Sequence, residues 1–193
     1  MSPTPARTSR DAITAAAREI LEEDGMGAVT MQAVAARVGV RAPSLYKHVA
    51  DRETLIRAVR TTIIEDLATA ILPDVASTDA RGTLRVVARR YRTFVHLNPI
   101  GYGSLFQPDG RLTEADTALL ASLGRPLVEV MRELVGAAAA LGAARTFVAW
   151  AHGFTSLELV GGFRLGGDLD RAYEDGIELI LAGVSGSDHP QAG

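Results

Sequence analysis

The chain has 193 residues, of which 47% are hydrophobic and 22% are charged, and it contains no cysteine. This composition is typical of a globular protein rather than a disordered one. The absence of cysteine excludes a disulfide framework, a thiolate metal site and a cysteine nucleophile.

The formal net charge of −3 is distributed unevenly. Residues 37–60 carry six Lys or Arg against two acids, whereas residues 66–193 carry eleven Arg against fifteen acids. A basic head on an acidic body is typical of a DNA-binding protein with a separate second domain. Ordinary variation of surface charge gives the same pattern, so charge alone does not decide between the two interpretations.

No uninterrupted run of about 18 apolar residues appears, so we expect no membrane span. Residues 1–10 are polar and lack the apolar core of a secretion signal. We therefore expect a cytoplasmic protein.

The apolar pattern is helical nearly throughout, with no convincing strand alternation and no hairpin turn. A first helix is predicted to begin at residues 8–9 and to end at Gly25, which suits a left-handed C-cap. Thr30 is predicted to cap a short second helix that Gly39 ends. A third helix follows at once, with Pro43 in its first turn.

Longer helices follow in the second part of the chain. Asp51 is predicted to cap a fourth helix that Pro73 ends, and a fifth helix is predicted to end before Pro99. The stretch 101–110 is expected to be irregular or to contain one turn of helix.

Three further helices complete the predicted order. One is predicted from Thr113 to about Gly136, with a bend or break at residues 124–126, and another from about Ala143 to Val160. A glycine-rich loop follows, and Asp168 is predicted to cap the last helix.

The segment from Thr30 to Leu55 has the clearest functional pattern. Its two short helices are joined by a tight, glycine-containing turn at residues 38–40, as in a helix-turn-helix. Residues 42–49 would form the recognition helix, which presents short groups that approach bases and longer donors that reach phosphates. Its exposed side is predicted to consist of Arg41, Ala42, Pro43, Ser44, Tyr46, Lys47 and His48. Any two short helices around a glycine match this pattern, so the spacing alone is not specific.

The same segment resembles the head of the tetracycline-repressor family of transcription factors. The resemblance lies in residues 30–40 (TMQAVAARVGV), 43–49 (PSLYKHV) and 51–56 (DRETLI). It covers about a third of the chain well, and the remainder agrees in length, helicity and helix order.

The resemblance implies an all-α fold with an N-terminal three-helix head and a C-terminal helical body. The head, at residues 1–50, would contain the helix-turn-helix that binds DNA. Residues 51–72 would form a connecting helix, and residues 73–193 a ligand-binding and dimerisation domain.

The resemblance also assigns roles to residues of the head. Glutamine can bond adenine through two hydrogen bonds, and proline or alanine can touch a thymine methyl group. The positions that would face base edges are Gln32, Ala42, Pro43 and Ser44. The positions that would hold phosphates are Thr30, Tyr46, Lys47, His48 and Arg52. Arg52 stands where the family usually has lysine, and Tyr46 is expected to bury its ring while exposing its hydroxyl.

For the body, the resemblance implies a homodimer formed by the last two long helices. The sequence is compatible with this, since the helix at residues 143–160 is apolar on more than one face. The predicted dimer residues are Phe147, Ala151, Phe154, Leu157, Leu169, Tyr173, Ile177, Ile180 and Val184. The alternative is that these faces are buried in a monomeric bundle.

A ligand pocket inside the body is also implied by the resemblance. An apolar cavity with a few polar tips is the usual site for a small molecule. The candidate lining residues are Tyr91, Phe94, His96, Tyr102, Phe106, Leu127, Met131, Trp150 and Phe154. Most of these aromatic residues could equally belong to the core, and His96 could equally be a surface histidine.

No motif for an enzyme, a cofactor or a metal ion was found. The chain has no phosphate-binding glycine loop, no HExxH helix and no Gly-x-Ser-x-Gly elbow. Its four histidines do not have metal-ligand spacing. The resemblance therefore implies a repressor that a small apolar or amphipathic ligand releases from a palindromic operator. The alternatives are an activator of the same family and a helical binding module without DNA function.

Overall fold

The computed structural model describes residues 9–71, 79–106 and 113–185. The predicted helix end at Pro73 lies outside these ranges. The chain divides into two compact units, of which the first comprises residues 1–66 and 98–117 and the second residues 67–97 and 118–193. The chain thus passes between the units three times.

All regular elements in the described ranges are helical, which confirms the predicted all-α class. A 3-10 turn at Met26–Ala28 lies between the first two α-helices. The α-helices are α1 (Arg10–Asp24), α2 (Met31–Val38), α3 (Ala42–Leu45), α4 (Arg52–Ile71), α5 (Ala80–Leu97), α6 (Pro99–Ser104), α7 (Glu114–Leu159) and α8 (Leu169–Ser185).

The first unit is built around α1, which packs against α2 and α6. Ser9 caps α1, because its hydroxyl oxygen accepts a hydrogen bond of 3.1 Å from the Ala12 amide. Gly25 ends the helix at φ 82° and ψ 175°, a glycine conformation outside the predicted left-handed helical region. The fully buried side chains of this unit include Ile13, Leu21, Val34, Leu45, Leu55, Ile63 and Leu105.

The core of the second unit lies between α5, α7 and α8. Tyr173 of α8 is buried there and donates a hydrogen bond of 2.8 Å to the Ala88 carbonyl oxygen of α5. The buried cluster consists of Leu84, Val87, Ala88, Leu127, Met131, Ala140, Ala144, Phe147, Tyr173, Ile177 and Leu181.

Helix α7 is interrupted at Gly136, whose φ of 75° and ψ of 166° are not helical. This confirms the predicted helix end at about Gly136. Of the bend or break predicted at residues 124–126, the break is wrong, since Pro126 lies inside the helix and no non-helical residue occurs there. Leu123 and Leu127 on either side are buried, so packing holds this stretch in the helix. The following helical segment begins directly after Gly136 rather than at Ala143.

One helix, α7, is long and apolar enough to cross a membrane by length and composition alone. An 18-residue window of it has a mean hydropathy of 1.5 although only 22% of that window is buried. The expectation from uninterrupted apolar runs missed this window, because a high mean hydropathy does not require an unbroken apolar run. Core helices of globular proteins meet the same criterion, so the window carries no conclusion about a membrane.

Candidate functional site

The helix-turn-helix is defined by hydrogen bonds at both ends of α2. The Thr30 hydroxyl oxygen accepts a bond of 3.1 Å from the Ala33 amide, which confirms the predicted N-cap. At the other end Gly39 has the left-handed angles φ 75° and ψ 33°. The amides of Gly39 and Val40 donate to the carbonyl oxygens of Ala36 and Ala35, at 3.2 and 2.9 Å. This Schellman arrangement closes α2 and turns the chain directly into α3.

The predicted recognition helix is regular over Ala42–Leu45 and continues as turns to Val49. Its Leu45 and Val49 side chains are buried, with exposed fractions of 0% and 2%. The opposite side faces solvent, so polar groups and Pro43 are presented together on one surface. Within residues 41–48 the exposed positions are Arg41, Pro43, Tyr46, Lys47 and His48, and the half-buried ones are Ala42 and Ser44.

Tyr46 departs from the prediction. Its exposed fraction is 54%, so the expectation that its ring is buried is wrong. Burial of the neighbouring Leu45 and Val49 already fills the inner face of this short segment. The tyrosine therefore offers both its ring and its hydroxyl to a partner.

Arg52, at the start of α4, is fixed by two backbone carbonyl groups. Its Nε donates to the Val29 oxygen at 2.6 Å and its Nη2 donates to the Met26 oxygen at 2.7 Å. The guanidinium thereby ties α4 to the 3-10 turn, a role that the sequence did not predict. Asp51 caps α4, and the bond of 2.7 Å from the Thr54 amide holds the pKa of the Asp51 carboxyl below its usual value.

An arginine on α2 connects this helix to α1. Arg37 contacts Glu23 through both Nη atoms, at 2.6 and 3.2 Å, and Glu19 through Nη1 at 3.2 Å. These bonds lower the pKa of Glu23 and raise that of Arg37. All three side chains are at least one third exposed, so the pairs orient the helices more than they stabilise the fold.

In the second unit, arginines of α5 face acids of α8 in a ladder of ion pairs. Arg85 binds Glu178 at 2.6 and 2.9 Å, and Arg89 binds Glu174 at 2.7 to 3.1 Å. The arginines hold the pKa values of both glutamates below their usual value.

The ladder continues at the end of α5 with Arg92, whose guanidinium contacts Asp170 at 2.7 Å and lies 5.0 Å from the Tyr173 ring centroid. Arg92 also binds Glu158 of α7, which accepts a bond of 2.9 Å from His96 as well. The Glu158 side chain is only 9% exposed. Hydrogen bonds from Arg92 and, to a smaller extent, His96 lower the pKa of the Glu158 carboxyl, and they outweigh burial, which raises it.

A groove of about 420 Å³ lies along this end of the ladder. Its lining residues are Arg89, Arg92, Thr93, His96, Leu97, Asp170, Tyr173 and Glu174. His96 is the one member that the sequence placed in a ligand pocket. Arginines recur about once per turn along α5, and acids recur about once per turn along α8. This pattern is visible in the sequence and could have identified the groove.

Comparison with known proteins decides what kind of chain this is. Residues 13–59 match the family model of bacterial regulatory proteins of the tetR family, and residues 84–180 match that of the tetracyclin repressor-like C-terminal domain. An HTH-type transcriptional regulator from Mycobacterium tuberculosis is 31% identical over 182 residues, which are 93% of this chain and 83% of that protein. The chain belongs to the tetracycline-repressor (TetR) family. Its family and its relatives therefore indicate a DNA-binding transcriptional regulator rather than an enzyme.

Solved structures share the fold of this TetR-family regulator. A protein of unknown function from Rhodococcus sp. RHA1 superposes with a TM-score of 0.80 at 22% identity, covering 96% of this chain and 100% of that one. BioQ with its double-stranded DNA operator gives 0.64 at 22% identity, with 91% and 97% covered. A TetR variant from Acinetobacter baumannii AYE in complex with minocycline gives 0.64 at 24% identity, with 90% and 94% covered.

The ligand residues predicted for this TetR-family regulator fall into different environments. Tyr102 and Phe106 belong to the first unit, where their ring centroids are 5.2 Å apart. Four of the residues in the second unit are at least nine-tenths buried: Tyr91, Phe94, Leu127 and Met131. Trp150 and Phe154 are half-buried in an aromatic cluster with Phe147 and Tyr173, with Trp150 stacked 5.0 Å from Tyr173.

Near this cluster lies a histidine outside the predicted set. His152 Nδ1 is 3.5 Å from the Tyr91 hydroxyl, and burial lowers the pKa of its imidazole. Burial therefore favours the neutral form of this ring.

The predicted dimer residues also separate by burial. Phe147, Ala151, Tyr173 and Ile177 are packed in the core of the subunit itself and are not free to contact a second copy. Phe154, Leu169, Ile180 and Val184 are half-buried, and Leu157 is 48% exposed. Periodicity could not make this distinction, because it identifies apolar positions without showing whether the subunit's own core or a second copy covers them.

Proposed function

We propose that this TetR-family regulator is a cytoplasmic repressor that binds a palindromic operator as a homodimer and is released by a small apolar or amphipathic ligand. The observation behind the proposal is the surface of residues 41–48, whose polar side is exposed while Leu45 and Val49 anchor it. BioQ, which shares the fold, has been solved with its operator DNA. Residues 1–50 would bind DNA, and residues 73–193 would bind the ligand and the second copy. Residues 51–72 would form the helix that connects these two parts.

The head would divide base recognition from phosphate binding. Gln32 is exposed on α2 and can form two hydrogen bonds with adenine. The small Ala42, Pro43 and Ser44 allow the backbone to approach base edges. The residues proposed to hold phosphates are Thr30, Arg41, Tyr46, Lys47, His48 and Arg52.

The second copy would cover the exposed apolar positions of α7 and α8. These positions are Leu141, Val148, Leu157, Leu159 and Leu179, each at least 37% exposed. Leu141 and Val148 are seven residues apart on one face of α7. Small neighbours such as Gly142 and Ala149 would allow two helices to approach closely. A symmetric dimer would place two heads about one DNA turn, roughly 34 Å, apart.

The effector would bind in the second unit, where the groove beside His96 and Tyr173 opens next to the aromatic cluster. TetR from Acinetobacter baumannii has been solved as a minocycline complex and supports a small-molecule site in this fold. Release follows if the ligand prefers a conformation with the wrong spacing of the heads. The groove's mixed charge and its apolar neighbours suit an amphipathic molecule.

Selection of bound duplexes from a random pool tests the DNA-binding proposal. A palindrome with half-sites about one turn apart is expected for a dimer, and sedimentation should give twice the 20.4 kDa chain mass. Affinity for the selected duplex should fall steeply with salt, because several phosphates are contacted. Absence of any selected sequence, with no affinity for duplex DNA, would favour a helical binding module. A reporter gene behind the selected duplex separates repression from activation.

Two variants test the assignment of roles. Tyr46→Phe combined with Lys47→Ala should weaken binding to all duplexes alike, whereas Gln32→Ala should change the preference at one base position. The assignment is wrong if both variants alter the same property.

A further inference from the structure

Arg18 of α1 contacts the chain at two points: where it leaves the first unit and where it first returns to it. The chain leaves after Asp66, at the end of this unit's part of α4, and returns at Asn98, ahead of α6. Arg18 Nη1 forms an ion pair with Asp66, and Arg18 Nη2 donates to the Asn98 side-chain oxygen at 3.1 Å. The Arg18 side chain is 20% exposed, so this fork is partly shielded from water.

The next turn of α1 holds the returning segment a second time. The Gly101 amide donates to the Glu22 carboxylate at 3.1 Å. Gly101 is buried, and an added Cβ would overlap that carboxylate oxygen and lie 3.2 Å from Ile63 Cδ1. A side chain at position 101 would therefore have to displace the Glu22 carboxylate from this bond.

The adjacent face of α1 contacts α2, the first helix of the helix-turn-helix. Arg18 and Glu22 are four residues apart and form one row on α1, whereas Glu19 and Glu23 form the neighbouring row. Arg37 of α2 binds the second row, as described above. We call Asp66 and Asn98, where the chain leaves and re-enters the first unit, the chain crossings. Residues 18–23 of α1 thus contact the chain crossings through one row of side chains and the helix-turn-helix through the neighbouring row.

We propose that α1 is the positioning element of the DNA-binding head, and that Arg18 is the positioning residue that couples the chain crossings at Asp66 and Asn98 to α2. A displacement of either crossing reaches α2 through this rigid helix, whose Ala17, Ile20 and Leu21 are buried. The proposal rests on the proposed DNA-binding function and adds a route by which the body could set the position of α2, and with it the helix-turn-helix.

A double-mutant cycle on operator affinity tests the coupling. The probe is a duplex selected from a random pool, measured at fixed salt with full-length Arg18→Ala, Arg37→Ala and the double variant. Arg18 bonds Asp66 and Asn98, whereas Arg37 bonds Glu19 and Glu23. Distant independent sites are additive within about twofold in affinity. If both act through α1, the loss in the double variant should be about fivefold or more smaller than the product of the two single losses.

Arg85→Ala is the matched control. Arg85 is also an arginine in a helix, and its Nε and Nη2 donate hydrogen bonds to one glutamate, but it lies in the second unit. Its combination with Arg37→Ala should be additive. Arg18→Lys should retain part of the affinity, since a point charge can pair with Asp66 but cannot fork to Asn98 as well.

The outcomes are separable. Additivity of Arg18→Ala with Arg37→Ala, while the natural protein binds the duplex, overturns the coupling and leaves the DNA-binding proposal intact. Failure of the natural protein to retain any duplex overturns both. If Arg18→Ala reduces the folded fraction in urea unfolding, Asn98→Ala replaces it in the cycle, with the same expected non-additivity.

Discussion

Replacement of Gly176 by alanine tests the packing of the aromatic cluster in the second unit. A Cβ at Gly176 would lie 2.6 Å from Trp150 Cζ2 and 3.1 Å from Cε2, closer than carbon atoms approach without displacement. The indole cannot simply retreat, because it stacks 5.0 Å from the Tyr173 ring and contacts Phe147 and Phe154.

Two opposing effects set the size of the change. Alanine is favoured over glycine inside a helix by about 1 kcal/mol, whereas an extra methyl group in a packed core costs about 1–3 kcal/mol. Gly176→Ala should therefore lower the free energy of unfolding by about 0–2 kcal/mol. Gly183→Ala in the same helix is the matched control, since nothing lies within 4 Å of an added Cβ there. It should gain up to about 1 kcal/mol.

Urea unfolding at one protein concentration measures both variants, with the emission of Trp150, the single tryptophan of the chain, as the signal. A fixed concentration is needed because association would add to the apparent stability. The expected difference between the two variants is about 1–3 kcal/mol. If Gly176→Ala stabilises the protein as much as Gly183→Ala does, the close packing of Trp150 against α8 is refuted.

Three further predictions concern the head, the ladder and the surface of α7. Thr30→Ala should lower the free energy of unfolding by about 1 kcal/mol in urea, through loss of the N-cap, whereas Thr30→Ser should be nearly neutral. Because the folded pKa of Glu158 is lowered, its stabilising contribution is present above its usual value of 4.5 and is lost as the pH falls through the folded pKa. Glu158→Gln should therefore flatten the acid limb of a stability–pH profile, and an unchanged limb would contradict the assignment. Val148→Glu should convert the proposed dimer to a monomer in sedimentation, whereas the exposed, charged Arg145→Glu tests charge alone.

Local signals in the sequence correctly predicted the two ends of α2 in the helix-turn-helix. Thr30 and Gly39 act through bonds to residues one turn away, so their roles depend on neighbours that the sequence displays directly. The same reasoning correctly placed the helix end at Gly136. It failed at Pro126, since packing of distant residues against Leu123 and Leu127 outweighs the local tendency of proline to end a helix.

The second unit was less predictable because its contacts are distant in sequence. Arg85 and Glu178 are 93 residues apart, and nothing short-range indicates that they meet. Apolar periodicity identifies a buried face but does not distinguish a core from a cavity or an interface. Phe147 and Tyr173 were therefore assigned to a dimer surface although both complete the core of their own subunit.

The ion-pair ladder limits how α5 and α8 can slide along each other. The arginines and acids both recur at intervals of about one helical turn, and the pairs run in opposite directions along the two helices. A shift by a fraction of a turn would leave each guanidinium facing a gap, while a full turn of about 5.4 Å would bring it opposite the neighbouring carboxylate. The ladder therefore favours the single register in which α5 and α8 are packed.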